Sequence, residues 1–171
     1  MNKYISPFVS ALVFAFAALP LPSFAQATPE TVVKNLYQAA KLKDLATMNK
    51  SELGKYFTKS ISEDFYFAAH SEDGLDIDIL YNSQDTKITE FLVGKPVNAA
   101  GKPAAGGDTV FVNVTFKNFR KVQKLRYVLN RLEGSWKIAN IFFYAEGHAY
   151  RISGDLQVKA IVEGERLFRP S

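Results

Sequence analysis

DTVFVNVTFKNFRKVQKLRYVLNRLEGSWKIANIFFY, from Asp108 to Tyr144, is the stretch that decides the fold. Val110, Val112, Val114 and Phe116 alternate with Phe111, Asn113 and Thr115, the period of two that sets a strand with two distinct faces. Lys121 to Leu132 reads as a long strand and Glu133-Gly134 as a tight turn. Ser135 to Tyr144 reads as the next strand and holds the only tryptophan, Trp136. Links this short join strands antiparallel, so the region is a meander.

Towards the amino terminus, residues 94–107 are rich in Gly, Pro and Ala and read as a loop. Thr86 to Val93 reads as a strand, and so does Leu75 to Tyr81, where Leu-Asp-Ile-Asp-Ile alternates with one wet face. Helical signals come before these. Thr28 is an N-cap, Pro29 suits the first helical position and Glu30 complements the helix dipole. Val32, Val33, Leu36, Tyr37 and Ala40 then share one face, and the helix is expected to reach about Lys43. Asp44 caps a second helical stretch with Leu45, Met48, Leu53, Tyr56 and Phe57, and Ser60 or Ser62 caps a third with Phe65, Tyr66 and Ala69. Beyond Ala145, the apolar piece from Leu156 to Val162 fits either a terminal helix or an extra edge strand. Helices first and strands after them give an α+β class. Long twisted strands curl such a sheet around its helices.

The first residues carry a different message. Lys3 supplies a positive start, Phe8 to Leu19 is apolar apart from Ser10, and Pro20 and Pro22 break the run. Ala25-Gln26-Ala27 then presents small residues at the positions a signal peptidase reads. The run is shorter than the roughly 20 residues of a spanning helix. Residues 1–27 are therefore expected to be a cleaved secretory signal, with cleavage after Ala25 the close alternative, and 28–171 to be one domain. The expected location is the periplasm or the medium, without stable membrane insertion after cleavage.

Composition excludes several chemistries. The chain has no cysteine, so disulfides, thiol nucleophiles and thiolate metal sites are absent. Its net charge is +4, and losing Lys3 brings it to about +3, too mild to imply a nucleic-acid partner. No Gly-x-Ser-x-Gly elbow, Walker loop or dinucleotide fingerprint occurs.

Several pieces resemble the nuclear-transport-factor-two-like (cystatin-like cone) superfamily. Thr28 to Tyr37 is similar to its opening helix, and Asp78 to Asp85 to a stretch of a bacterial envelope family of unknown function within it. Asp108 to Val114 and Gly134 to Ile141 are similar to its central and final strands. The chain departs from that pattern at Ile79, where the family has Pro, and in its long tail. The resemblance implies helices packed on a strongly curved antiparallel sheet, with a pocket between them. It implies no particular activity, because members include isomerases, dehydratases, ligand binders and interaction domains.

Tyr37, Phe65, Tyr66, Tyr127, Trp136 and Asn140 would line such a pocket, with polar tips in an apolar cavity. The plainer reading of these aromatic residues is core. Of the two histidines, His70 reads as a helix C-terminus favoured by the dipole, and His148 as a loop residue. Asp73, Asp76, Asp78 and Asp85 lack calcium-loop spacing and read as a wet strand face. The run from Lys117 to Arg126 interleaves bases with apolar residues; it reads as a charged hairpin end or as a contact for an anionic lipid head group or glycan.

No catalytic residue, metal set or cofactor is assigned. The expectation is a non-enzymatic exported domain that binds a small ligand or an envelope protein. The alternatives are an isomerase or dehydratase using a pocket Tyr with an Asp or His, and an immunity or inhibitor protein. A homodimer through the open sheet face is compatible with strands such as Val110 to Phe116, which are apolar on both faces.

Overall fold

The computed structural model describes residues 26–72, 78–81, 83–145, 148–152 and 158–161. The expected signal segment up to Ala25 lies outside them, as do Asp73 and Asp76. Helix α1 spans Pro29–Leu42, and the Thr28 side chain accepts the Thr31 N–H as its cap. The stretch expected as a second helix is two shorter pieces. Asp44 caps a single 3₁₀ turn, Leu45–Thr47, and Asn49 and Glu52 form a capping box on α2, Lys50–Leu53. Helix α3 is Lys59–Ala69 and starts after Thr58, earlier than the expected Ser60 or Ser62.

The strands are β1 (Ile88–Val93), β2 (Thr109–Asn118), β3 (Lys121–Leu132), β4 (Ser135–Ala145), β5 (His148–Ile152) and β6 (Val158–Ile161). They form one antiparallel meander in sequence order. The α+β class therefore holds. Of the two readings of the tail, the edge strand is the one observed, with β6 outermost. His148, read as loop, opens β5.

Leu75 to Tyr81 is corrected. Leu75–Ile77 lie outside the described residues, and 78–81 form a turn, closed by the Asp78–Ser83 bridge. The Asp78 carboxylate accepts the Leu80 N–H at 2.8 Å, so it caps a turn rather than facing water from a strand. Ile79 and Leu80, adjacent in sequence, are both buried, a pattern no strand with one wet face allows.

The core lies between the helices and one sheet face. Val33, Leu36 and Tyr37 of α1 bury there with Val112, Val114 and Phe116 of β2, Tyr127 and Leu129 of β3, and Ile138 and Ile141 of β4. The expected alternation of β2 is observed, with Val110, Val112, Val114 and Phe116 facing the core.

Two irregular segments blunt free sheet edges. Phe57 lies parallel to Ile138, with the Thr58 N–H donating to Ile138 O and the Ile138 N–H to Tyr56 O. Val97, in the loop before β2, exchanges both backbone hydrogen bonds with Phe111. At the β1 edge, Glu90 takes a positive φ of 52° in an irregular stretch, and Lys117 pairs with its carboxylate. A bulge and a charge of this kind keep an edge strand from pairing with other chains.

Candidate functional site

Tyr37 is the centre of the interior. Its hydroxyl donates to the Leu80 carbonyl at 2.8 Å and accepts from the Tyr127 hydroxyl at 2.8 Å. Both rings are buried. The chain Tyr127 to Tyr37 to Leu80 therefore ties β3, α1 and the 78–81 turn together, and each polar tip has a partner. Phe91 sits edge-on to Tyr37 at 4.6 Å, and Tyr81 lies 5.5 Å from both Tyr37 and Phe116. Tyr37, Tyr127 and Phe116 are buried between α1 and the sheet, Tyr81 is half-buried, and Phe91 is 39% exposed at the edge of the group.

Burial pushes both hydroxyls well above the ordinary tyrosine range, so they stay protonated donors. The consequence for stability has a definite sign. The unfolded chain releases these protons near pH 10, whereas the folded chain holds them. Their contribution is thus complete below pH 10 and is lost as pH rises above it, by about 1.4 kcal/mol per pH unit per tyrosine. A tyrosinate absorbance titration is expected to find these two groups silent until the alkaline unfolding transition itself. Early ionisation of the full tyrosine complement without unfolding would contradict the closed interior.

The five sequence-predicted binding residues are not assembled in one place. Tyr37 and Tyr127 meet. Tyr66 is half-buried on α3, stacked on His70 at 4.2 Å, with the Lys50 ammonium 5.1 Å from its ring. Trp136 is buried opposite Arg131, whose guanidinium lies 4.9 Å from the indole. Asn140 pairs with Val128, next to inward-facing Tyr127, and so points to the other sheet face; its side-chain oxygen accepts the Ile141 N–H. Phe65, also expected in the pocket, stacks on Phe57 in the core.

His70 ends α3, with its Nδ1 2.8 Å from the Tyr66 carbonyl, the helix-terminus reading. Asp85 is exposed, and among the described residues no group of three or more His, Asp or Glu could hold a metal ion. No helix among them is long and apolar enough to cross a membrane.

Among the described residues, clefts open on the surface. A cleft of about 630 Å³ lies between the end of α1, the 3₁₀ turn and the 78–84 segment, with Leu42, Asp44, Asp78, Tyr81 and Gln84 among its walls. Asp44 and Asp78 each cap a local turn with their carboxylates. Partial desolvation raises the Asp78 carboxyl above its usual range, the Leu80 N–H pulls it back down, and the Asp44 charge adds to the rise. Leu42 stands 90% exposed on the rim. Lys41 and Lys43 flank it in the same wall.

Sequence reasoning missed Tyr81 and Phe91 as partners of Tyr37, with Phe116 against both of them, and no local periodicity connects them. It placed Phe119-Arg120 in a charged hairpin end but did not foresee the turn's backbone. The strand runs read from sequence, ending at Phe116 and resuming at Lys121, leave four residues between them, whereas the structure closes the hairpin with two.

No family model matches the sequence, and no curated protein does. Among solved structures, a chain of the type VI effector–immunity complex Tae3–Tai3 from Ralstonia pickettii is similar at 19% identity and a TM-score of 0.49. The match covers 71% of this chain and 98% of that one. A likeness this distant carries no function across.

Proposed function

We propose that this chain is an exported, non-enzymatic domain that acts by binding a protein partner in the cell envelope, as an inhibitor or immunity protein does. The observation that supports this most is the filled interior. Among the described residues, the Tyr127–Tyr37–Leu80 chain and the surrounding rings occupy the space between α1 and the sheet. A protein of this kind works through its surface. The cleft beside Leu42, Asp78 and Gln84 is the contact region in this reading. The isomerase or dehydratase alternative needs a pocket tyrosine within reach of a carboxylate or histidine and of substrate. Tyr37 and Tyr127 spend their hydroxyls on each other and on Leu80, which leaves Tyr81, beside Asp78 in the cleft, as the tyrosine that reading would use. The cone superfamily remains our reading of the fold, supported by helices on one face of an antiparallel meander.

The test is site-specific photo-cross-linking in the cell that makes the protein. Probes placed at Leu42 and Gln84 are expected to give one discrete protein adduct. A probe at Glu133, in the β3–β4 turn, is expected to give none. The adduct protein, purified, should then bind the unlabelled chain and lose that binding with Leu42→Asp. Equal labelling from all three positions, or binding indifferent to Leu42→Asp, would overturn the reading.

A further inference from the structure

The β2–β3 turn breaks a local rule. Phe119 and Arg120 are its two central residues, at φ 46° and 69°. Left-handed backbone of this kind favours Asn and Gly, and a bulky aromatic there is an outlier. The β3–β4 turn of the same sheet shows the ordinary solution, Glu133-Gly134, with glycine at the second position. Strain of this sort persists where the surroundings hold it, and it marks functional sites. Here Asn118 holds it. Its buried side chain accepts the Lys87 N–H at 2.8 Å and donates to the Asp85 carbonyl at 3.1 Å, and the Phe119 N–H reaches Lys87 O.

The turn presents Phe119 to solvent, 55% exposed. Val122 and Leu92 lie exposed behind it; they pair with Lys117 and Thr115 and so share the sheet face turned away from the helices. Exposed Lys124, opposite Thr115, shares that face; exposed Lys87, Arg120 and Lys121 stand at the hairpin end, Lys121 on the other face, and Lys117 is neutralised by Glu90. One exposed aromatic residue on a hairpin end that carries three lysines and an arginine is a poor composition for a protein interface, whose centre is depleted in lysine. It suits a lipid surface, where an aromatic ring enters the headgroup boundary and bases meet the phosphates.

We propose that the β2–β3 hairpin end docks reversibly on an anionic lipid surface, with Phe119 inserted and Lys87, Arg120, Lys121 and Lys124 against the headgroups. The strained turn holds the ring out in advance of contact. Each base near such a surface adds about fivefold to affinity, so four give roughly several-hundredfold preference over a neutral bilayer.

The experiment mixes the purified chain with vesicles of phosphatidylglycerol and phosphatidylcholine, or of phosphatidylcholine alone, and separates bound protein by flotation. Binding to the anionic vesicles is expected, with loss at about 1 M salt, where the Debye length falls to about 3 Å. Phe119→Trp places a reporter at the tip, while Trp136 stays buried, and its emission is expected to shift blue on anionic vesicles only. The paired change Phe119→Asn with Arg120→Gly installs the residues the turn prefers. It is expected to raise the melting temperature and to weaken vesicle binding at least about 30-fold. Lys121→Gln with Lys124→Gln leaves the turn intact and is expected to weaken binding about 30-fold through charge alone. A tip that stays in water with both vesicle types, or a strain-relieved variant that binds as well as the parent, would overturn the proposal and leave the turn to a protein contact.

Discussion

Tyr37→Phe is expected to lower the stability of the fold by about 3 kcal/mol, more than Tyr127→Phe, which is expected to cost about 1 kcal/mol. The two residues differ by the same single oxygen from phenylalanine, and both are buried. Their places in the hydrogen-bond chain differ. Removing the Tyr127 hydroxyl takes a donor from Tyr37, whose own donation to Leu80 survives. Removing the Tyr37 hydroxyl orphans two buried groups together, the Leu80 carbonyl and the Tyr127 hydroxyl. Leaving such a group unpaired costs about 1–3 kcal/mol. The double variant carries the sharper expectation. In the Tyr37→Phe background, the Tyr127 hydroxyl is a buried donor with nothing to donate to, so removing it is expected to restore stability by about 1 kcal/mol. Tyr127→Phe is thus destabilising alone and stabilising on top of Tyr37→Phe. Urea unfolding of the four proteins measures this directly, and additive losses would mean that water reaches the pair.

Trp136→Ala is expected to cost about 3–5 kcal/mol, with the melting temperature falling by about 10 °C or more. The indole is 8% exposed and lies on the core side of β4, opposite Arg131. Removing it opens a cavity and takes from Arg131 the ring face beneath its guanidinium. Trp136→Phe keeps an aromatic surface there and is expected to cost about 1–2 kcal/mol. A melting temperature unchanged in the alanine variant would show that Trp136 is not part of the core.

How much of this was readable beforehand depends on the physics each feature rests on. The β2–β4 meander was legible because its valines and phenylalanines alternate. Burial enforces that period wherever one sheet face meets a core. The bounds of β3, Lys121–Leu132, follow from the sequence unaided. Leu75 to Tyr81 alternates just as well and is no strand over its described part, since Asp78 satisfies a backbone amide locally and turns the chain. Alternation alone does not register that competition.

The binding residues failed for a similar reason. Stepping in twos from Trp136 passes through Ile138 to Asn140 and puts all three on one face. The register shift between Val128 and Leu129 leaves Ala139 without a partner in β3, which turns Asn140 outward and brings Ile141 into the core. Nothing in the local sequence announces the bulge. The contacts of Tyr37 were out of reach for a different reason. Leu80 and Tyr127 lie 43 and 90 residues away along the chain, and only the packed fold brings them to Tyr37.

Native mass spectrometry of the protein, drawn gently from the cells that make it, tests the filled interior and surface action together. The expected spectrum contains the mature chain without a small-molecule adduct, and a second species carrying a protein partner. A stoichiometric adduct of small-molecule mass, retained by the parent and lost from Tyr37→Phe, would contradict the account, because it would put a ligand where five aromatic rings are packed.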